Sequence, residues 1–356
     1  MSEVVFMALS LGARRPAAYW ESSLGGDPRL ALTVAAGDLL ERVRATGLPP
    51  DGSRLVVLLS GGRDSVCLLD VAVRLAGAEA VTALHVNYGL RDAATGDEEH
   101  CRALCGRLGV ALDVHVAARP EDAGGNLQAW ARDVRLGAGA QLAAARGARL
   151  ATGHTASDQA ETVLYRLAAS PGRRALLGMG ERDGLLVRPL LRVTREETAA
   201  HCAARGLTWR DDASNDDPVF ARNRARAGLV PALRELHPAA EANVVRTAEL
   251  LRDEAAVLDE VVDTALAGRD RIAVAHLAAL PPALARLVLR RLAEDAAGRL
   301  CARAAARLDD VLALGDGALD LGDGARAVVA GGVLHVEPTP PGRSAPAGAG
   351  QPQPLP

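Results

Sequence analysis

Short apolar runs alternate along the first two thirds of the chain with longer segments whose apolar positions recur every three or four residues. Leu55–Leu59 (LVVLL) has the length and β-branched content of a buried parallel strand, and further strands are read at Val81–Val86, Ala111–Val116 and Arg149–Thr152. Between them, helical spacing predicts a helix running to about Leu75, one near Glu98–Leu108, one over Leu127–Ala145 and one starting near Ser157. Strands separated by helices imply βαβ units and an α/β fold with a doubly wound, mostly parallel sheet. Ligands of such sheets collect at the carboxyl ends of the strands. Three polar segments fall there: Ser60-Gly61-Gly62, His85–Asp92 (HVNYGLRD) and the segment beginning Ala151-Thr152-Gly153-His154.

A helical pattern over Leu30–Val43 precedes the sheet and stops before Gly47 and Pro49-Pro50. Beyond Leu167, the stretch Ser170–Gly184 (SPGRRALLGMGERDG) reads as a mobile loop rather than core. A helix is expected over Arg195–Arg205, and a basic one within Phe220–Leu236, carrying Arg222, Arg224, Arg226 and Arg234. From Pro238 the texture changes to arginine- and alanine-rich helices, Ala239–Ala265, Pro282–Ala296 and Leu300–Leu314, then a β-like pair, Leu319–Leu321 and Ala327–Val336. The expected divisions are an N-terminal extension with its leading helix (1–53), an α/β domain (54–236), a smaller, mainly helical C-terminal domain (237–337), and a proline- and glycine-rich tail (338–356) with the composition of disorder.

Composition narrows the chemistry. A chain of 356 residues, 49% of them hydrophobic, can bury a large core plus a smaller one, and a net charge of −3 gives no global nucleic-acid signature. The chain has no lysine, so all 41 basic residues are arginine. Walker-A loops, protein-kinase sites and Schiff-base enzymes rely on a lysine amine, and those classes fall away. Five cysteines without regular pairing predict a reduced, cytoplasmic protein. The first twenty residues resemble neither a signal peptide nor a membrane span.

What the strand ends can do depends on their side chains. A glycine loop between a strand and a helix points backbone N–H groups and the positive end of the helix dipole at one spot, which suits phosphate. Ser-Gly-Gly alone is equally an ordinary turn. Asp64 alters that balance, because a carboxylate beside a phosphate calls for Mg²⁺ between them. The pattern SGGxDS over Ser60–Ser65 resembles the PP-loop of the ATP pyrophosphatases, which cleave ATP between the α- and β-phosphates. Asp158 and Glu161 share a face at the start of the next helix, as metal or substrate ligands or as acidic residues favoured by the helix dipole.

Taken in order, SGGRDS (60–65), HVNYGLR (85–91), GNLQAWAR (125–132), ATGHTASDQAETVLYRL (151–167), RPLLRVTREE (188–197) and DDASNDDPVFARNRAR (211–226) resemble the tRNA(Ile)-lysidine synthetase family over about Arg54–Leu236. The resemblance implies a two-step reaction on the wobble cytidine of an isoleucine tRNA with a CAU anticodon. ATP adenylates the C2 oxygen and releases pyrophosphate; free L-lysine then attacks C2 and displaces AMP. By the same resemblance Ser60, Gly61, Gly62, Arg63, Asp64 and Ser65 cradle the pyrophosphate, and Asp64 and Asp158 sit at Mg²⁺. His154 and Arg132 line the nucleotide site, Glu161 faces the lysine ammonium, and Arg222, Arg224 and Arg226 meet tRNA phosphates. The small C-terminal domain would grip the tRNA. No membrane partner is implied, and a homodimer is among the expected assemblies.

The chain departs from the family pattern at four positions: Tyr88 and Thr155 where histidine is usual, Gln128 where glutamate is usual, and Ser157 where the first of two aspartates is usual. Two other readings follow. One is a PP-loop enzyme that thiolates cytidine, although Cys101 and Cys105, four apart on a helix, are better placed for core packing than for sulfur chemistry. The other is a non-catalytic nucleotide- or RNA-binding relative. With either Asp64 or Asp158 replaced by alanine, the sequence reading expects adenylation to be lost while the fold persists.

Overall fold

The computed structural model describes residues 38–47, 52–89, 93–118, 127–169, 172–210 and 221–340, with the side chains of 93–95, 128, 221 and 222 excepted. The predicted start of the leading helix, Ser214-Asn215, Leu90-Arg91, most of the predicted tail and the side chains of Gln128 and Arg222 lie outside the described residues. By packing, the chain falls into two compact units, the first drawn from Met1–Asp158 and Gly180–Ala213, the second from Gln159–Met179 and Ser214–Pro356.

The first unit is built on a six-stranded sheet of order β3-β2-β1-β4-β6-β5. Its strands are β1 (Leu55–Leu58), β2 (Val81–Asn87), β3 (Ala111–Val116), β4 (Arg149–Ala151), β5 (Arg182–Asp183) and β6 (Leu186–Val187). All neighbours are parallel except β5, which pairs antiparallel with β6. Central β1 explains why an unbroken apolar run was needed. Leu55, Val57 and Leu59 join one core with the helix at residues 38–45 (α1), α2 (Arg63–Ala76) and α3 (Ala93–Leu108), whereas Val56 and Leu58 join a second core against α4 (Leu127–Ala145). Alternate side chains are thus buried on opposite faces, as the doubly wound reading requires. The chain leaves β1 toward β2 and β3 on one side, and β4 lies on the other. The switch point therefore falls between the carboxyl ends of β1 and β4.

The second unit packs α10 (Ala240–Leu266), α11 (Val274–Ala279), α12 (Pro282–Ala297) and α13 (Leu308–Ala313) with β7 (Arg271–Ala273), β8 (Gly317–Gly322), β9 (Ala325–Ala330) and β10 (Val333–Pro338), a four-stranded antiparallel sheet of order β7-β10-β9-β8. Leu289 and Leu292 of α12 share its core with Leu321, Val329 and Leu334 of the sheet. Two expectations need correcting here. The predicted strand Ala327–Val336 is a hairpin, β9 (Ala325–Ala330) and β10 (Val333–Pro338), because Gly331 and Gly332 take φ of 56° and 76° and turn the chain. The predicted helix Leu300–Leu314 is shorter, with only Leu308–Ala313 forming α13.

The mobile-loop expectation for Ser170–Gly184 is also corrected, over its described residues 172–184. Residues Arg173–Leu176 form one helical turn (α6), while Arg182–Asp183 and Leu186–Val187 form the hairpin of the first unit. Within the second unit, buried Gln159 exchanges two hydrogen bonds with Met179, donating to its carbonyl at 2.8 Å and accepting from its amide at 2.6 Å. Arg252 donates to the carbonyls of Leu177 and Met179 at 2.6 and 2.8 Å. Polar anchoring holds a stretch whose composition alone reads as loop.

No helix among the described residues is long and apolar enough to cross a membrane.

Candidate active site

The loop after β1 folds back on itself before α2 begins. Gly61 has φ of 84°, a left-handed value that glycine adopts without steric cost, and it brings Gly62 to the helix start. No side chain caps Gly62, so the first amides of α2 are not covered by a capping residue of their own. The two serines brace the loop from within. Ser65 Oγ donates to the Gly62 carbonyl at 2.8 Å and accepts from the Ser60 amide at 3.2 Å, and the two hydroxyls lie 3.2 Å apart. Ser65 is the third residue of α2.

The loop after β4 comes directly against this one. A methyl group built on Gly153 would lie 3.0 Å from the backbone carbon and oxygen of Asp64 and 3.1 Å from the Ser65 nitrogen. The neighbours are backbone atoms, so a side chain at this position requires the two loops to give by a few tenths of an ångström. Gly153→Ala is therefore expected to push the two loops apart by a few tenths of an ångström and slow ATP cleavage about tenfold, below the ~100-fold scale of a full ångström's misplacement, while far-UV circular dichroism stays unchanged. Pyrophosphate release within a fewfold of the parent would show that the approach is not needed.

Behind Gly153, His154 Nδ1 lies 2.8 Å from Thr152 Oγ1. Burial, reinforced by the positive charges of Arg188, Arg132 and Arg135 and opposed by Asp158, pushes the His154 pKa down to about 4. At neutral pH it is an uncharged hydrogen-bonding group in the field of three arginines. Arg132 and Arg135 come from α4, whose position is tied to the end of β2: Tyr88 donates its hydroxyl to the Ala131 carbonyl at 2.8 Å and packs its ring 5.7 Å from that of Trp130. Tyrosine thus serves at this position as an anchor for the helix carrying Arg132.

Helix α5 (Ala156–Ala169) starts with Thr155 and Asp158 locked together. Asp158 Oδ2 accepts from the Thr155 amide and hydroxyl, both at 2.9 Å, and the Asp158 amide donates to Thr155 Oγ1 at 3.3 Å. This is a reciprocal cap of the helix end. The other oxygen, Oδ1, accepts from Arg195 Nη2 at 2.8 Å. The helix-start reading of an acidic first turn is thus realised at Asp158, whose other oxygen is taken by a guanidinium. Burial would raise its pKa, but Arg195, His154 and the Thr155 bonds outweigh burial and hold it below the ordinary value.

Arg195 was not among the residues singled out from sequence. It is the first residue of α7 (Arg195–Ala204), which opens with a capping box between Thr194 and Glu197. The spacing Thr-x-x-Glu is the sequence signal that locates this helix start. Arg195 Nε also lies 3.6 Å from Asp64 Oδ2, so the guanidinium sits between the two carboxylates. One turn on, Thr198 donates to Asp64 Oδ1 at 2.5 Å, and Arg63 Nε donates to the same oxygen at 3.1 Å.

Asp64 and Asp158, from adjacent strand ends, make a donor set that suits magnesium, which takes one or two carboxylates and completes its shell with phosphate oxygens and water. The guanidinium of Arg195 lies between the two carboxylates, so positive charge is already balanced against them there.

In the second unit, Glu161 is 1% exposed and pairs with Arg226 through Nε–Oε1 at 2.8 Å and Nη2–Oε2 at 3.3 Å. Arg226, expected to meet phosphate, is engaged by this carboxylate. Arg224 is exposed. Arg224 ends α8 (Ala221–Arg224), which runs through a π-helical turn at Ala225–Leu229, carrying Arg226, into α9 (Val230–Leu236).

Cysteine chemistry finds no support. All five cysteines are buried, and burial pushes the thiols of Cys101 and Cys105 up to about 12 and about 11. Thiolates are the reactive form, and these thiols are held protonated.

A model of the PP-loop domain matches residues 37–233. The chain is 40% identical over 309 residues to the tRNA(Ile)-lysidine synthase of Thermus thermophilus, covering 84% of this chain and 60% of that protein. It is 38% identical over 324 residues to the enzyme of the same name from Salinispora arenicola, covering 84% of this chain and 95% of the relative. The chain thus spans about three fifths of the Thermus protein but nearly all of the Salinispora one. Among solved structures, a U34-tRNA thiolase from Methanococcus maripaludis with its [4Fe-4S] cluster aligns with TM-score 0.53 at 17% identity, over 62% of this chain and 80% of that one, a likeness of fold.

Proposed function

The chain belongs to the tRNA(Ile)-lysidine synthase family of PP-loop proteins, and on that premise we propose that it ligates L-lysine to C2 of the wobble cytidine of a CAU-anticodon isoleucine tRNA, using ATP. The observation carrying this reading is the approach of Gly153 to the Asp64 backbone, which brings the loop after β1 and the acidic helix start after β4 to one place.

In the first step, Ser60–Ser65 cradle the β- and γ-phosphates of ATP with loop amides and the start of α2. Asp64 and Asp158 would hold Mg²⁺, which when bound neutralises charge on the phosphates. Arg132 and neutral His154 line the α-phosphate side, where cationic and hydrogen-bonding groups stabilise charge as the C2 oxygen attacks and pyrophosphate leaves. In the second step the amine of lysine attacks the activated C2 and AMP departs. Glu161 is the acidic group assigned to the lysine ammonium, with Arg226 as the partner that must yield. Arg222 and Arg224, with Arg226 once it is released, are assigned to tRNA phosphates. The helical C-terminal region is the tRNA-gripping part, and the cytoplasm is the compartment.

The test is incubation with ATP, Mg²⁺, labelled lysine and an isoleucine tRNA transcript carrying a CAU anticodon. Label in the tRNA, with one pyrophosphate released per lysine, is expected. Nucleotide binding without pyrophosphate release would instead identify a non-catalytic relative.

A further inference from the structure

The nucleotide site contains a cation of its own, placed by a helix that no phosphate motif includes. Arg195 is held there by its backbone as well as its side chain. Its amide donates to Ser157 Oγ at 3.3 Å, and the preceding Val193 carbonyl accepts from the Ala156 amide at 2.8 Å. Glu197, which closes the cap of α7, is itself gripped by Arg42 at 2.6 and 3.1 Å. The start of α7 is thereby docked on the start of α5, and the Arg195 side chain, 19% exposed, spans the gap to Asp158 and Asp64.

The contacts are unequal. Arg195 makes a hydrogen bond of 2.8 Å to Asp158 Oδ1 but approaches Asp64 Oδ2 only to 3.6 Å. Asp64 Oδ1 is taken by Thr198 and Arg63. The guanidinium thus balances two converging carboxylates while leaving the Asp64 Oδ2 contact loose. Magnesium binds oxygen at about 2.1 Å, so ion and guanidinium cannot share the space between the carboxylates.

Resting on the proposed adenylation site, we propose that Arg195 is the resident cation of the metal position: it occupies the place between Asp64 and Asp158 until nucleotide arrives, then moves to the phosphates as the divalent ion takes its place. A planar guanidinium suits both stations, because it pairs with carboxylate and phosphate alike. Metal and nucleotide must then bind cooperatively, since each is helped by the displacement that the other requires.

The experiment is titration of Mn²⁺ into the nucleotide-free protein, followed by the electron paramagnetic resonance signal of free Mn²⁺ and repeated with a non-hydrolysable ATP analogue. Arg195→Met is expected to bind Mn²⁺ about tenfold or more tightly than the parent without nucleotide, and to lose a similar factor from the enhancement given by the analogue. Arg195→Lys, which keeps a cation, should stay close to the parent, and Asp64→Asn should remove the binding. Equal Mn²⁺ affinity in the parent and Arg195→Met, or binding that survives Asp64→Asn, would overturn the proposal. If Arg195→Met fails to fold, the parent alone decides, with Mn²⁺ held by the analogue in protein-free solution subtracted: Mn²⁺ binding to the protein as tight without the analogue as with it overturns the idea, and enhancement beyond that subtraction supports it. Lysine incorporation plays no part in these readings. A tRNA reaction that fails while the Mn²⁺ pattern holds would fell the substrate assignment and leave the role of Arg195 standing.

Discussion

Asp64→Ala is expected to lower pyrophosphate release by about a thousandfold or more, with little change in folding. The size of the effect follows from the position. Asp64 is the second residue of α2, at the phosphate loop, and its side chain remains 21% exposed beside Arg195. In the proposed reaction it is the carboxylate assigned to both metal and phosphate. Its structural duties are light. Thr198, which donates to it, also donates to the Arg195 carbonyl at 2.9 Å, so the hydroxyl keeps a partner when the carboxylate is removed. Arg63 is partly exposed and regains water. Stability should fall by no more than about 1 kcal/mol, as for a partly exposed polar contact. Measured as label released from γ-³²P-ATP in the presence of the tRNA transcript, activity within tenfold of the parent would remove Asp64 from the metal site. A large loss of melting temperature would show instead that the residue holds the fold.

Much of this site was legible in the chain because the signals are local. LVVLL is apolar without interruption because β1 is covered on both faces, and the glycine pattern that follows it can only be a tight loop. The order of strands and helices then fixed where the loops would gather. What escaped was long-range. Arg195 meets Asp64 across 131 positions of sequence and Asp158 across 37, and a basic residue opening a helix looks like any solvated arginine until that meeting is seen. Gln159 in the same way turns a glycine- and arginine-rich stretch into an anchored one through two hydrogen bonds that leave no trace in periodicity. Gly331-Gly332 is a different case. Its hairpin signal was present in the sequence but was overridden by the apolar run around it.

Asp158→Ala carries the second large effect, and here the structure revises the expectation that the fold persists unharmed. Asp158 closes the cap of α5 with one oxygen and neutralises Arg195 with the other. Alanine removes the cap, worth about 1 kcal/mol, and strips a largely buried guanidinium of its hydrogen-bonded partner, so the stability cost should reach about 3–5 kcal/mol. Loss of activity in that variant cannot be divided between metal binding and structure. Asp158→Asn separates them. An amide oxygen can still accept from Thr155, so urea unfolding should show about 1–2 kcal/mol lost, but the neutral group no longer balances Arg195 or offers a charged ligand. Pyrophosphate release should nevertheless fall by about a hundredfold or more. If Asp158→Asn works at near the parental rate, the residue is a helix cap alone, and Asp64 is the one that remains of the two proposed metal ligands. If the rate falls while the cap energy is retained, Asp158 carries the charge that the nucleotide site requires, and Ser157 at the adjoining position is no obstacle to that role.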